Sequence, residues 1–209
     1  MGFEWRRPAA TARGMPRGHS GEVMAYQEHH RAAAAIVARC GVITLSDTRN
    51  EQTDGSGAKI KELLAAAGHV IVDYRVIPDD EERLDGLLAE WMGRADIEAI
   101  LTNGGTGVSR RDRTIPVIEK HLETVLPGFG ELFRALSFEE VGSGAMLSRA
   151  IGGIAGGKLV FAMPGSTGAV ELAMRRLILP ELGHLVGEMA KGEGKARRHE
   201  GGNRDGLRL

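Results

Sequence analysis

Residues 100–107 read ILTNGGTG, and residues 109–114 read SRRDRT. The apolar residues between 97 and 101 predict a short buried strand that ends at a polar turn. The three glycines that follow would let backbone N–H groups approach a ligand closely, because glycine carries no side chain and adopts positive φ readily. Loops of this kind, between a strand and a helix, bind anions in α/β sheets, although a tight turn with a helix N-cap would show the same local pattern.

The composition narrows the class of protein. A chain of 209 residues that is 42% hydrophobic can bury a core, either as one domain with tails or as two small domains. Its net charge of −1 and its aromatic content of 4% argue against a nucleic-acid-binding surface, which would need cationic residues or stacking rings. We therefore expect no nucleic-acid partner.

Cys40 is the single cysteine, so no disulfide can form within the chain and no cysteine cluster offers a zinc site. We predict a small core residue there, with a reactive thiol as the alternative. No segment approaches the roughly 20 apolar residues of a membrane-spanning helix. The pair Arg6 and Arg7 is not followed by an apolar segment, so we reject an export signal and expect a cytoplasmic protein without membrane contact.

Three segments of the chain differ in character. Residues 1–33 are mixed in charge and rich in Gly, Pro and Arg, which predicts a flexible N-terminal tail, with Met24 as an alternative start and a short helix near residues 28–35. Residues 34–190 carry the hydrophobic patterns of one α/β domain. Residues 191–209 combine charges with glycines and predict a solvated C-terminal tail.

The middle segment alternates strands with helices. We predict strands over residues 36–45, 70–77, 97–101 and 158–163. We predict helices over residues 56–67, 79–91, 114–122, 131–136 and 169–189, with N-caps at Ser56 and Thr114, a capping box at Asp79 and a kink or restart at Pro180. Residues 137–157 are glycine-rich and are predicted to be irregular. This alternation indicates a parallel sheet covered by helices on both faces.

The loops after the strands supply three kinds of polar group to one edge of such a sheet. Backbone donors come from Gly104, Gly105 and Gly107, while hydroxyl groups come from Ser46, Thr102, Thr106, Ser148 and Ser166. Carboxylates come from Asp47, Asp79 and Asp112. Donors and hydroxyl groups suit phosphate oxygens, and two or three carboxylates suit a Mg²⁺ ion that bridges those phosphates. The loops therefore favour phosphoryl or nucleotidyl transfer.

Other nucleotide-binding and hydrolytic patterns are absent from the sequence. The glycine loop is neither a Walker A motif nor a dinucleotide-binding fingerprint, because no Gly-Lys-Ser/Thr follows and the glycine spacing differs. No Ser-His-acid arrangement stands out, and His69, His121 and His184 lie on or beside predicted helices. A generic nucleotide-binding domain remains the least specific interpretation.

Several motifs, in order, resemble one known family. Residues 102–107 together with 111–114 resemble the TTGGTG…RDxT signature of the MogA/MoaB family of molybdenum cofactor biosynthesis proteins. Three further blocks, at residues 127–131, 147–149 and 163–166, resemble that family's other motifs. Residues 133–142 resemble the MoaB branch in particular. The resemblance covers roughly residues 36–189 and leaves both tails outside it.

The resemblance implies a three-layer α/β/α fold with a mainly parallel, doubly wound sheet, assembled as a homo-oligomer, either a trimer or a hexamer. It implies that the protein binds molybdopterin and uses Mg²⁺ and ATP to adenylate the terminal phosphate of the pterin, releasing pyrophosphate. Other proteins of the same pathway are further expected partners. A non-catalytic molybdopterin-binding scaffold is the alternative, since the resemblance alone does not establish turnover.

The resemblance also assigns residues to roles. Asp79 and Asp112 are expected to be the catalytic and metal-binding carboxylates, with the glycine loop on the phosphates and Ser148 on the pterin side. Asn103 stands where the family has a second threonine, which puts the details of phosphate contact in question. The expected ligand contacts are Ser46, Asp47, Thr102, Asn103, Gly104, Gly105, Thr106, Gly107, Thr114, Ser148, Pro164, Gly165 and Ser166.

Overall fold

A computed structural model describes the backbone of residues 36–201 and the side chains of residues 36–191. In this part of the chain, six strands form one sheet in the order β2-β1-β3-β6-β5-β4. The strands are β1 (Arg39–Leu45), β2 (Val70–Ile77), β3 (Ala99–Asn103), β4 (Thr124–Val125), β5 (Ile151–Ala155) and β6 (Lys158–Met163). The four predicted strands are β1, β2, β3 and β6, and they are parallel to one another.

Helices connect the strands and continue beyond β6. They are α1 (Gly55–Ala66), α2 (Glu81–Met92), α3 (Thr114–His121), α4 (Pro127–Val141), α5 (Thr167–Ala173) and α6 (Leu179–Gly201). A 3₁₀ helix spans Gly142–Leu147, and a π-helical segment, Met174–Ile178, joins α5 to α6. The predicted N-terminal tail, the short helix near residues 28–35, Met24 and the Arg6–Arg7 pair lie outside the described residues. None of the described helices is long and apolar enough to cross a membrane.

Two apolar clusters lie on opposite faces of the sheet, which confirms the three-layer α/β/α architecture. Successive residues of a strand point to opposite faces, so Leu101 packs in one cluster and Ile100 in the other. The first cluster packs α1, α4, α5 and α6 on the sheet, and the second packs α2 and α3. Cys40 is a fully buried member of the first cluster, as a small core residue would be.

The segment predicted to be irregular contains regular structure. α4 continues to Val141, and β5 pairs antiparallel with β6, so the sheet is mixed at this side. Glycine weakens a strand intrinsically, which is why the sequence pattern did not indicate β5. Here glycine is required: a Cβ atom at Gly152 would lie 2.7 Å from the Phe161 ring, which packs edge-on against Phe129.

Several predicted helix starts shift by a few residues. Asp54, not Ser56, caps α1, and Asp80, not Asp79, caps α2. Thr114 is the first residue of α3 and its side chain makes no cap. α4 begins at Pro127 rather than after residue 130, because proline fits the first helical turn, where its missing N–H costs no hydrogen bond.

The helix break predicted at Pro180 is a π-helical segment just before this residue. Pro180 cannot donate to a carbonyl in the preceding turn, and the turn before it is π-helical. Ser166 caps α5 by accepting from the Ala169 amide, so this helix begins two residues earlier than predicted.

Candidate functional site

The main cavity lies at the carboxyl edge of the parallel strands. The chain runs from β1 outward to β2 and then returns to the other side of β1 as β3, so the winding direction reverses between β1 and β3. Open α/β sheets form their ligand crevice at such a reversal. A cavity of about 700 Å³ opens here, between the loop after β1, the glycine loop, the turn after β6 and the end of α4.

The glycine loop adopts a conformation that side chains would prevent. Gly104 and Gly105 have φ of 95° and 60°, as predicted, whereas Gly107 does not have a positive φ. A Cβ atom at Gly104 would collide with the Leu45 carbonyl, and one at Gly105 would lie 2.7 Å from Asp79 Oδ1. The loop therefore needs glycine at both positions, for backbone conformation and for space.

Thr114 fixes this loop from behind. Its hydroxyl donates to the Gly104 carbonyl at 2.9 Å, and its amide donates to the Gly105 carbonyl at 3.1 Å. The Thr102 hydroxyl donates to the Phe161 carbonyl at 3.3 Å, inside the sheet. Both threonine side chains are buried. The structure thus places them behind the loop rather than in the cavity.

Asn103 is also fully buried, and its amide faces β1 instead of the cavity. Its Nδ2 donates to Thr44 Oγ1 at 2.8 Å, while its Oδ1 has no hydrogen-bond partner among the described residues. The departure from the family motif therefore changes a contact between two strands. We find no contact of this side chain with the cavity surface.

The predicted carboxylates lie on both sides of the glycine loop. Asp112 lines the cavity and would contact any side chain placed at Gly107, at 2.7 Å from its Cβ. Asp112 Oδ2 accepts from the Ser109 amide at 2.7 Å. Asp79 lies behind the loop, in a shallow depression beside Thr114, and its amide donates to Asp47 Oδ1 at 3.2 Å.

The environment of Asp79 disfavours its charge. Burial raises the pKa of this carboxyl, and the negative charges of Asp47 and Asp112 raise the pKa further, while Arg111 partly offsets them. Asp79 Oδ1 is buried and accepts no hydrogen bond from the described residues. A carboxylate oxygen without a donor, among like charges, is suited to a cation.

The two carboxylates provide only part of a ligand set for Mg²⁺. Among the described residues, no group of three or more histidine, cysteine, aspartate or glutamate side chains is arranged to hold a metal by itself. Mg²⁺ at phosphate-transfer sites commonly uses only one or two carboxylates and takes its other ligands from substrate phosphates and water. The orphaned oxygen of Asp79, together with Asp112, fits that second mode.

The opposite wall of the cavity comes from the turn after β6 and the segment before β5. Ser148, Pro164, Gly165 and Ser166 line this wall, while Ser46 and Thr106 line the cavity from the loop after β1 and from the glycine loop. Arg149 donates to the Gly107 carbonyl at 2.9 Å and so ties this wall to the glycine loop. Asp47 is exposed and does not line the cavity; its carboxylate instead pairs with Arg111.

Sequence reasoning missed four residues at this site. Arg49 and Glu140 carry charge on the cavity lining, and Ser56 donates to the Gly165 carbonyl at 2.6 Å. Asp54, buried beneath them, accepts from the Ser56 and Gly57 amides and from the Tyr74 hydroxyl. Asp54 precedes Gly55 in a polar loop, so an acidic N-cap was the one signal that could have revealed it.

The fold and the site define a class of protein. Residues 41–184 match the family described as "Probable molybdopterin binding domain", and the chain belongs to this family. Among its relatives, the "Molybdenum cofactor biosynthesis protein B" of Halalkalibacterium halodurans is 52% identical over 165 residues, which are 78% of this chain and 97% of that protein. The protein of the same name from Bacillus subtilis is 46% identical over 169 residues, covering 80% of this chain and 99% of that one.

Solved structures agree with this assignment. A crystal structure of a molybdenum cofactor biosynthesis protein B has a TM-score of 0.73 and 50% identity, over 74% of this chain and 97% of that one. The tungsten cofactor synthesizing protein MoaB from Pyrococcus furiosus has a TM-score of 0.66 and 37% identity, over 73% and 97% of the two chains. A MogA structure has a TM-score of 0.66 and 27% identity, over 72% and 99%.

Proposed function

We propose that this protein binds molybdopterin in the main cavity and transfers the adenylyl group of ATP to its terminal phosphate. The products are adenylyl-molybdopterin and pyrophosphate. The observation that carries the proposal is the glycine loop at the β1–β3 reversal, with Asp112 at one side and the unpaired oxygen of Asp79 at the other. The names of the relatives supply the pathway.

The proposed step conserves atoms and charge. An oxygen of the molybdopterin phosphate forms a bond to the α-phosphorus of ATP, and the bond from that phosphorus to the bridging oxygen breaks. Pyrophosphate leaves with the bonding electron pair, and the phosphate nucleophile needs no proton removed when it is fully ionised. Positioning and charge stabilisation therefore supply most of the catalysis, as in other phosphoryl transfers.

The chain's own groups have distinct tasks in this scheme. The backbone amides of the glycine loop can approach phosphate oxygens because Gly104 and Gly105 present no side chains. Thr114 keeps the loop in place through two hydrogen bonds. Ser148 and the turn at residues 164–166 form the wall assigned to the pterin.

Asp79 and Asp112 would hold Mg²⁺ together with the phosphates. The ion, when bound, neutralises negative charge on the phosphate groups. Asp79 would reach it past Gly105, the position at which any larger residue would collide with its carboxylate. A cavity of about 700 Å³ falls in the range usual for small-molecule and cofactor sites.

A non-catalytic molybdopterin-binding scaffold is the second candidate. It is favoured by the position of Asp79, which lies behind the glycine loop rather than on the cavity lining. In a scaffold, Asp79 would serve the loop conformation and Asp112 would be the only one of the two to meet the ligand. The two candidates differ in turnover, so an assay separates them.

The proposal includes assembly into a homo-oligomer, a trimer or a hexamer, and contact with other proteins of the pathway. Its support is the exposed apolar side chains of α4 and of the 3₁₀ helix that follows it, among them Leu132, Phe138 and Met146. Apolar surface of this kind is typical of protein interfaces. Because the reaction consumes ATP, the proposal also assigns the protein to the cytoplasm. Light scattering on the purified protein would determine the oligomer size.

The test of the reaction measures pyrophosphate release from Mg²⁺–ATP with and without molybdopterin. We expect release that depends on the pterin in the wild type and falls by at least about a hundredfold in Asp112→Ala. Asp96→Ala, at the opposite edge of the sheet, is the matched control and should retain wild-type rates. Molybdopterin binding without any release in the wild type would reject the enzyme and leave the scaffold.

A further inference from the structure

The cavity holds little positive charge. Of the described residues that line it, Arg49 is the only cationic one, while Asp112 and Glu140 are anionic. Phosphate groups entering such a cavity meet two carboxylates and a single guanidinium. The position of that guanidinium therefore decides where an anion is held most strongly.

Arg49 is anchored through one nitrogen only. Its Nη1 donates to Ser56 Oγ at 3.0 Å and to the Gly165 carbonyl at 3.2 Å, and it lies 3.6 Å from Asp54 Oδ1. Nε and Nη2 make no hydrogen bond to the described part of the chain, and 38% of the side chain is exposed. An arginine anchored at one end and open at the other is pre-oriented for a ligand, since less side-chain freedom is lost when the ligand binds.

The anchor ties this cation to the phosphate-binding loop. Gly165 packs on Gly104 so closely that a Cβ atom at Gly165 would lie 3.0 Å from Gly104 Cα. Arg49 holds the Gly165 carbonyl, so the guanidinium is fixed on the turn that touches the glycine loop. The backbone donors of the loop and the open edge of Arg49 thus belong to one rigid wall.

Asp54, the carboxylate nearest to Arg49, is also stabilised by neutral hydrogen-bond donors. The Asp54 carboxylate is buried and accepts from the Ser56 and Gly57 amides at 3.1 and 3.0 Å, and from the Tyr74 hydroxyl at 2.7 Å. These donors stabilise the carboxylate together with the guanidinium, so Asp54 does not depend on Arg49 alone. Arg49 therefore keeps its capacity to bind a second anion.

We propose that Arg49 is the anion-binding side chain of the cavity and binds a phosphate group of the substrate through Nε and Nη2. The proposal rests on the proposed function for the identity of the substrate, and it specifies which side chain selects its phosphorylated end. A guanidinium offers two parallel N–H donors, which match two oxygens of a phosphate. A lysine at this position would supply charge without that fork.

Inorganic pyrophosphate is the probe for the test, with binding measured by calorimetry at low ionic strength on the full chain. Hydrogen bonds between two charged groups are stronger than those between neutral groups, so Arg49→Ala should weaken binding by at least about tenfold. Arg49→Lys should recover part of the loss. Arg110→Ala, which removes an exposed arginine outside the cavity lining, should change binding less than about twofold and controls for net charge.

Two results would overturn the proposal: unchanged pyrophosphate binding in Arg49→Ala, or equal losses in Arg49→Ala and Arg110→Ala. If Arg49→Ala does not fold, Arg49→Gln and Arg49→Lys, with thermal melting as a check on folding, answer the same question. The result of the binding test can be distinguished from the result of the adenylyl-transfer assay. Pyrophosphate binding that depends on Arg49 without pterin-dependent release would reject adenylyl transfer and retain Arg49, whereas normal turnover in Arg49→Ala would reject only Arg49.

Discussion

The Ser56 hydroxyl donates a 2.6 Å hydrogen bond to the main-chain carbonyl of Gly165, a residue 109 positions further along the chain. This bond joins the first turn of α1 to the turn after β6, which lines the main cavity. Ser56 is fully buried and Gly165 is partly buried, so the bond is partly shielded from water. It fixes the position of the turn after β6 relative to α1, two segments that lie far apart in the sequence.

Removing this hydroxyl should loosen the wall. We expect Ser56→Ala to lower the free energy of unfolding by about 1–2 kcal/mol, because the partly buried Gly165 carbonyl would retain only its bond from Arg49. Urea unfolding measures the change. Ser143→Ala, at an exposed position in the 3₁₀ helix, should stay within about 0.5 kcal/mol. Equal stability of the two variants would contradict the structural role of Ser56.

Two glycine-to-alanine substitutions should change the stability of the protein in opposite directions. Gly105→Ala introduces a Cβ atom at φ 60°, against Asp79 and Thr114, and should destabilise the protein by about 2–3 kcal/mol and abolish phosphate binding. Gly86→Ala lies inside α2 with open space around its Cβ and should stabilise the protein by about 0.5–1 kcal/mol. Thermal melting of both variants tests the pair, and a stable Gly105→Ala variant would count against the loop geometry.

The buried carboxylate Asp54 should make stability depend on acid pH. Burial alone would raise its pKa, but hydrogen bonds from Thr44, Gly57 and Tyr74 and the charge of Arg49 outweigh burial, so the pKa lies below its ordinary value of 3.8. A carboxyl with a lowered pKa in the folded state stabilises the fold above its unfolded pKa and loses that contribution as pH falls through the folded pKa.

The variant Asp54→Asn isolates this contribution. We expect the wild type to exceed it in unfolding free energy by a constant amount above about pH 5. The difference should shrink once the pH falls below the ordinary value of 3.8. Urea unfolding from pH 7 to pH 3 measures the difference, and a gap that stays constant or widens in acid would show that Asp54 is not stabilised as an anion.

The charged side chain of Asp79 should lower the stability of the folded protein. Because burial and the charges of Asp47 and Asp112 raise its pKa, the ionised form is disfavoured in the fold. In buffer with a chelator, Asp79→Asn should raise the melting temperature by about 2 °C or more, while removing pyrophosphate release. Asp85→Asn, on the exposed side of α2, is the control with no expected gain. A lower melting temperature in Asp79→Asn would reject the electrostatic account.

The parallel half of the fold was predictable from the sequence because its inner strands β1, β3 and β6 are mostly apolar and buried. β3 is one example, with all five residues buried. The glycine loop was predictable for a related reason: three glycines at the end of a buried strand indicate a tight turn with a closely approachable backbone. Each of these signals is local, so a single stretch of sequence carries it.

The antiparallel half and the charged anchors were not predictable in this way. β5 contains Gly152 and Gly153, which are needed because a side chain there would collide with Phe161 and with the Thr124 carbonyl in neighbouring strands. Arg49 is the one basic residue in the polar loop after β1, and its partner Gly165 is 116 residues away. Such residues acquire their role only from distant contacts, and a single sequence holds no trace of those contacts.

The reversed direction of β5 has a consequence for how this domain can vary. Because β5 runs against β6, the chain reaches the ligand edge just before it enters β5, at Ser148 and Arg149. The preceding Gly142–Leu147 helix is an exposed connection whose length is independent of the sheet register. Insertions or deletions there would reshape the entrance of the cavity and leave the glycine loop in place, so the entrance and the floor of the cavity can vary separately in this architecture.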